Sequence, residues 1–294
     1  MSINEKGEID FVVALLIFGK LGESAKISLK SIGNLGTKKI CILADKAGEN
    51  WIKKYQIEFN LPALCFHEPN AVDLLLMNLN LNEENNYSEF GSERFIKLTT
   101  FKWFLIMDTL ESHKEIEGAL FTDLDVLWRK LPENQINDGN IGKNFALIQD
   151  DSPLRSTDVH FCTGVMYWRN IEESKKNLLE LFNNQKRNIE SEKLIPDEPT
   201  FNKWYQAMQN SEGIKAFSKT DIVIGHRFFN LCTNRNNFDY ENFSAFHSNY
   251  VIGENQKSLL LKTLLFRING NYIWVFGLLR YLNWKVCLKI KSAI

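Results

Sequence analysis

The chain has 294 residues, 44% hydrophobic and 24% charged, enough for one large α/β domain or two small ones around a full core. A formal net charge of -1 gives no global basic field, which argues against a nucleic-acid partner. The five cysteines (Cys41, Cys65, Cys162, Cys232, Cys287) are odd in number and include no CxxC pair, which argues against a disulfide framework or a zinc site and for a reducing compartment.

Glu5, Glu8 and Asp10 precede the apolar stretch Phe11 to Phe18. A secretory signal would place positive charge first and a longer apolar run next, so the expected location is the cytosol. Phe11 to Phe18 reads as a strand buried on both faces and ended by Gly19. Ser24 to Ile32, with Ala25, Ile27, Leu29 and Ile32 at helical spacing, reads as a helix closed by Gly33. Lys39 to Leu43 is a second strand ending at Ala44-Asp45. Strand, helix and strand in this order form a βαβ unit, and such units build parallel sheets.

Residues 70 to 94 read as a helix around Leu74 to Met77 followed by a surface loop. Lys97 to Leu110 is expected to be helical. Ala119 to Trp128 is the next strand with its exit, Phe145 to Ile148 another, and Val165 to Trp168 a further one. Residues 171 to 190 read as an amphipathic helix. No internal repeat or Pro/Gly/Ser linker divides the chain.

The run Phe121-Thr122-Asp123-Leu124-Asp125-Val126-Leu127-Trp128 places two acids at the carboxyl end of an apolar strand, the edge where open α/β sheets bind ligands. Two carboxylates one residue apart in extended chain point to one side. Hard oxygen ligands of this kind suit Mg²⁺ or Mn²⁺, and such an ion can bridge a carboxylate to a diphosphate. A solvated loop with two acids is the plain alternative. Phosphatases of the haloacid-dehalogenase type also end a strand in DxDx; here that reading would make Asp123 a nucleophile. Such motifs usually continue with Gly or Thr and stand near the N-terminus, whereas Val126-Leu127 follow here and about 120 residues precede.

Five segments in order carry a more specific signal: Phe95 to Lys102, Gly118 to Trp128, Phe161-Cys162-Thr163-Gly164-Val165-Met166-Tyr167-Trp168, Asp197-Glu198-Pro199-Thr200-Phe201-Asn202, and His247 to Gly253 with Lys257. Together they resemble the nucleotide-diphospho-sugar transferases, GT-A fold enzymes that include α-galactosyl- and α-xylosyltransferases, with a likeness to glycosyltransferase family 77. The resemblance covers roughly residues 10 to 265. It implies a GT-A-like α/β fold, a mostly parallel twisted sheet flanked by helices on both faces. It also implies a metal-dependent, retaining transfer of a sugar from a nucleotide-diphosphate donor, in the first place a UDP-sugar, to a hydroxyl acceptor such as a glycan or a lipid-linked glycan. A catalytically silent relative that binds nucleotide or glycan is the competing reading.

By the same resemblance Asp125 binds the metal, Asp123 binds metal or ribose, and His247 supplies a third ligand whose nitrogen shifts preference toward Mn²⁺ over Mg²⁺. Gly253 and Lys257 suit a diphosphate clamp. Lys102 faces the donor sugar or its phosphate, with Lys97 a weaker candidate. Thr163 and Gly164 border the donor, and Gly lets backbone approach substrate closely. Cys162 stands where Asn is commoner. Asp197 is a donor-sugar contact. Glu198 replaces the usual Gln near the reactive carbon, where a carboxylate can stabilise an oxocarbenium-like centre or attack it. The pair can equally cap a helix beginning near Pro199. Phe228-Phe229-Asn230-Leu231 stands in place of an "FPNG" element, so the acceptor side has diverged. By position alone, Phe18 with Gly19, and Asp45, border the nucleotide base or form plain strand ends.

From Asn255 to Ile294 no acid occurs, while Lys257, Lys262, Arg267, Arg280, Lys285, Lys289 and Lys291 accompany Trp274, Phe276, Tyr281 and Trp284. The expected organisation is a transferase domain over residues 1–265 and a basic aromatic extension over 266–294. That extension either packs on the domain or touches the anionic inner face of a membrane.

Overall fold

A computed structural model describes residues 9–81, 91–137, 144–151, 159–208, 213–224, 242–249 and 253–268. Phe228 to Leu231, and residues 269–294 of the basic extension, lie outside the described residues.

The N-terminal half follows the expected alternation. β1 (Phe11–Ile17) leads to α1 (Glu23–Ile32), β2 (Lys39–Ala44), α2 (Lys46–Gln56), β3 (Ala63–Phe66) and α3 (Ala71–Leu76). The long α4 (Glu93–Ser112) precedes β4 (Gly118–Thr122), β5 (Val126–Trp128) and α5 (Glu133–Asn137). β6 (Ala146–Asp150), β7 (Phe161–Arg169), α6 (Glu172–Glu190) and α7 (Asp197–Ala207) follow. The short strands β8 (Ile214–Ala216), β9 (Ile222–Ile224) and β10 (Ala245–His247) lead to α8 (Glu254–Ile268).

Seven strands form one sheet in the order β3-β2-β1-β4-β7-β6-β8. β3, β2, β1 and β4 run parallel to one another, β7 is antiparallel to both β4 and β6, and β8 runs parallel to β6. Strand periodicity divides the core. Val12, Ala14, Cys41, Leu43, Ala119 and Phe121 enter the cluster under α4, α6 and α7. Val13, Leu15, Ile40, Ile42 and Leu120 enter the cluster under α1 and α2. Helices on both faces explain why these strands are apolar without alternation. Trp103 of α4 stacks on Phe201 of α7 at 5.8 Å, and Phe101 meets Phe182 of α6 at 6.1 Å.

The element ends differ from expectation for local reasons. α4 begins at Glu93 because the Ser92 hydroxyl accepts the Phe95 amide at 3.2 Å, an N-cap. Gly33 stays helical, with φ -56, rather than turning left-handed. What it provides is space, since a Cβ there would stand 2.8 Å from the Phe59 carbonyl oxygen.

A second sheet, β5-β10-β9, is absent from the sequence reading because its strands have three residues each. β10 pairs antiparallel with β5, placing His247 opposite Val126, the residue after Asp125. Leu127, Val223 and Phe246 of this sheet pack under Leu260, Leu261 and Leu264 of α8. α8 is tied to the first sheet's layer as well. Glu254 accepts hydrogen bonds from the Ser24 amide at 2.6 Å and the Ser24 hydroxyl at 2.5 Å, serving as a cap for α1 from 230 residues away. Gly22 leaves the room for it: a Cβ there would stand 2.4 Å from the Glu254 side chain.

Candidate active site

Asp123 and Asp125 lie in the turn between β4 and β5, so their convergence is not the same-side geometry of an extended strand expected from the spacing. It comes from His247. The imidazole Nε2 stands 3.0 Å from Asp125 Oδ1 and 3.9 Å from Asp123 Oδ2. Gln149 Oε1 receives the other ring nitrogen, Nδ1, at 2.9 Å, which leaves the Nε2 lone pair facing the carboxylates. A register shift between Ile148 and Gln149, next to β7, accompanies this aim.

Asp125 is fixed from several sides. Ser248 donates to its carbonyl oxygen from amide and hydroxyl at 3.1 and 2.9 Å. Lys257 Nζ donates to Asp125 Oδ2. Burial works against ionisation, but His247, when it carries a proton toward Asp125, and Lys257 outweigh it and hold the carboxylate well below its ordinary range. Asp125 Oδ1, although 3.0 Å from Nε2, is buried with no hydrogen bond among the described residues.

Asp123 keeps 43% of its side-chain exposure. Desolvation, with repulsion from Asp125, pushes its carboxyl up to about 6 despite the attraction of Lys102. Its amide donates to the Gly164 carbonyl at 2.8 Å. Gly164 is needed for proximity: a Cβ would stand 2.2 Å from His247 Cε1 and 2.7 Å from Asp123 Oδ2.

The donor set fits a divalent cation. Asp123, Asp125 and His247 offer three ligand atoms within 4.8 Å of one another. Asp125 Oδ1 and His247 Nε2, 3.0 Å apart, are placed so that a divalent cation can take the position of a proton between them.

Beside this cluster lies a closed polar layer. Lys102 Nζ donates to Asp197 Oδ2 at 2.6 Å, to the Thr163 carbonyl at 3.0 Å and to the Thr163 hydroxyl at 3.2 Å. Thr163 in turn donates to Asp197 Oδ2 at 2.5 Å. Burial opposes charge on Lys102, yet Asp197 and Asp123 hold its ammonium up at about 12. Burial also opposes charge on Asp197, and Lys102 and Thr163 bring its carboxyl below the ordinary value. Lys102 and Asp197 are thus engaged with each other rather than displayed in the cleft, although Lys102 Nζ is 4.0 Å from Asp123 Oδ1.

Glu198 is more open, with 29% side-chain exposure, and its Oε1 lies 3.0 Å from His160 Nε2. α7 begins at Asp197, two residues before Pro199. Asn202 clamps Phe161 of β7 by accepting its amide and donating to its carbonyl, both at 2.8 Å, which holds β7 against α7.

The remaining candidates sort as follows. Asp45 caps α2 by accepting the Gly48 amide at 2.8 Å and also holds the Gly19 amide at 2.9 and 3.0 Å, so its carboxylate has a strand-end task. Gly19 needs that support, with φ 74. Phe18 is half-buried against the α4-side core. Lys97 pairs with Glu93 at 2.5 Å. Gly253 adopts φ 94 just before α8 and accepts the Lys257 amide at 3.1 Å. Cys162 Sγ stands 3.9 Å from His247 Nδ1 and 3.8 Å from Asn249 Nδ2, and burial pushes its thiol up. Asn202 and Ser248 stand inside the quoted motifs with no role of their own assigned, and Gln149 and Glu254 outside them, because what marks all four is a partner far along the chain.

Comparison with known proteins agrees with this geometry. The family model of nucleotide-diphospho-sugar transferases matches residues 58–261. Mouse xyloside xylosyltransferase 1 superposes with a TM-score of 0.53 at 14% identity, over 84% of this chain and 100% of that one. The galactosyltransferase LgtC, solved with donor and acceptor sugar analogs, superposes with a TM-score of 0.55 at 12% identity, over 90% and 99%. The glycosyltransferase GlyE of Streptococcus pneumoniae TIGR4 gives 0.53 at 12% identity, over 94% and 64%. No curated protein sequence matches the chain.

Proposed function

The chain belongs to the nucleotide-diphospho-sugar transferase family and has its GT-A fold, and on that footing we propose a metal-dependent, retaining glycosyltransferase that uses a UDP-sugar. The acceptor is a hydroxyl of a glycan or a lipid-linked glycan. The observation that carries the reading is the meeting of Asp123, Asp125 and His247, with Lys257 on the second oxygen of Asp125. The family match also displaces the phosphatase reading of Asp123.

When bound, a divalent cation there neutralises charge on the departing diphosphate. The mixed oxygen and nitrogen donors favour Mn²⁺ over Mg²⁺. Asp125, held ionised, is the principal ligand, and Gln149 keeps His247 in the tautomer that offers Nε2. Lys257 supplies an ammonium at the edge of this cluster, suited to a phosphate oxygen. Asp123, the more exposed acid, is available to metal or ribose. The Lys102–Thr163–Asp197 layer positions the wall behind them. Glu198, accessible and beside His160, faces the reacting sugar as its electrostatic partner. Retention then follows from attack of the acceptor hydroxyl on the face the diphosphate leaves.

The basic extension leads us to place the enzyme in the cytosol, with a lipid-borne acceptor presented at the inner membrane face. Among the described residues no helix is long and apolar enough to cross a membrane. The decisive experiment scores slow hydrolysis of a panel of nucleotide sugars with Mn²⁺ and no acceptor. Release of UDP from one of them, reduced at least about 100-fold in Asp125→Ala, is the expected result. Hydrolysis unchanged in that variant would overturn the site. Full transfer by Glu198→Gln would exclude a covalent role for Glu198.

A further inference from the structure

At the C-terminal end of α4 four side chains with metal-ligand chemistry meet. Cys41 of β2 and Cys65 of β3 are register partners on adjacent parallel strands. His67 follows β3 two residues after Cys65, the spacing that returns an extended chain to the same face. His113 is the residue that closes α4. Each offers one ligand atom, and these atoms all lie within 4.8 Å of one another.

The two imidazoles carry the inference further. His67 and His113 are buried, with side-chain exposures of 4% and 10%. In both, Nε2 is buried and has no hydrogen-bond partner among the described residues. In both, the other nitrogen is occupied from outside the cluster. His67 Nδ1 lies 2.5 Å from Asp108 Oδ2, and His113 Nδ1 lies 3.3 Å from Glu115 Oε1. Lys39 Nζ stands 3.7 Å from that second carboxylate and 3.4 Å from His113 Nδ1 itself. At His67 the carboxylate fixes the proton on Nδ1 and leaves the opposite lone pair free, the arrangement that orients histidine toward metals, while at His113 Glu115 and Lys39 compete for Nδ1. Leaving two buried nitrogens unmatched costs on the order of 1–3 kcal/mol each unless something binds them.

We propose that Cys41, Cys65, His67 and His113 hold a structural zinc ion. Two sulfurs and two imidazole nitrogens form the tetrahedral donor set that selects Zn²⁺ over hard cations. Binding releases the two thiol protons, and the two thiolates cancel the charge of the ion, so the buried centre is neutral. The sequence offered no CxxC because the ligands come from two neighbouring strands and a helix end. The centre staples the edge strand β3 to β2 and both to α4, the helix that carries Lys102.

The test uses the full chain without a histidine tag, grown with added zinc and then dialysed against metal-free buffer. Elemental analysis is expected to find about one zinc per chain. Cys65→Ser and His67→Ala should lose it, while Asp125→Ala, altered only in the donor site, should keep it. The Co²⁺-substituted protein should show tetrahedral d–d bands together with thiolate-to-cobalt charge transfer. Asp108→Asn keeps all four ligands and should weaken zinc 10–100-fold in chelator competition, which guards against a ligand variant that merely fails to fold. Wild-type protein with no zinc and no charge-transfer band, a Cys41–Cys65 disulfide in freshly isolated chains, or zinc retained in Cys65→Ser would each overturn the proposal.

Discussion

A methyl group on Gly164 would stand 2.2 Å from the ring of His247 and 2.7 Å from Asp123 Oδ2. Gly164→Ala should therefore push two of the proposed metal ligands apart without touching the core. Since a displacement of about 1 Å can cost on the order of 100-fold in rate, donor hydrolysis should fall by that order while circular dichroism stays unchanged. Lys102 is the opposite case, a group whose loss harms the fold first. Lys102→Met leaves the buried Asp197 carboxylate uncompensated and should cost about 3–5 kcal/mol in urea unfolding. Asp197 lies below its ordinary value of 3.8, so its contribution is present above that pH and fades as pH falls through the folded value. Lys102 is raised from 10.5 to about 12, so its contribution is full below about 10.5 and is lost as pH rises through about 12. Between these limits unfolding free energy attributable to the pair should be flat with pH, and a slope centred near neutrality would contradict it. At this scale Asp123, Asp125, His247 and Lys257 were legible from motif order. Gln149 and Ser248 were not, since a glutamine holding an imidazole looks like any other glutamine until the fold closes.

The elements most legible were those whose burial is one-dimensional. β1, β2 and β4 are apolar at every position except Lys39 and Thr122 at their ends because helices cover both faces, and that alone marks them in sequence. α2 was missed because its buried stripe is only Ala47, Gly48, Trp51 and Ile52, and its start is announced by the single cap Asp45. β8, β9 and β10 are too short for any period to show, yet β10 delivers His247. Glu254 connects these levels, since it caps α1 while opening α8, the helix that carries Lys257. Glu254→Ala should cost about 1 kcal/mol, as loss of a cap does. It should also raise the donor KM more than it lowers kcat, because Lys257 loses its anchor. Equal KM in the two proteins would separate the cap from the clamp.

For the whole molecule the described helix α8 runs from Glu254 to Ile268, across residue 265. Leu260, Leu261 and Leu264 are core residues under the second sheet, and the helix continues to Ile268. A truncation meant to probe the basic extension must therefore end after Ile268. Full-length protein should float with anionic liposomes and the 1–268 chain should not; equal flotation would remove the membrane proposal. Chelation offers a second global test. EDTA should abolish donor hydrolysis, and Mn²⁺ should restore it more fully than Mg²⁺, as expected for a site with an imidazole ligand.

The way β10 lies against β5 has a further consequence during synthesis. A nascent chain that has left the ribosome as far as β7 already owns both carboxylates and the wall of Lys102 and Thr163. It has no imidazole between the acids, and Lys257 is still unmade. Because chains emerge N-terminus first, a product terminated between Ala216 and His247 carries all seven strands of the main sheet and lacks the imidazole of the proposed centre. Synthesis must therefore pass both His247 and Lys257 before the proposed centre is complete.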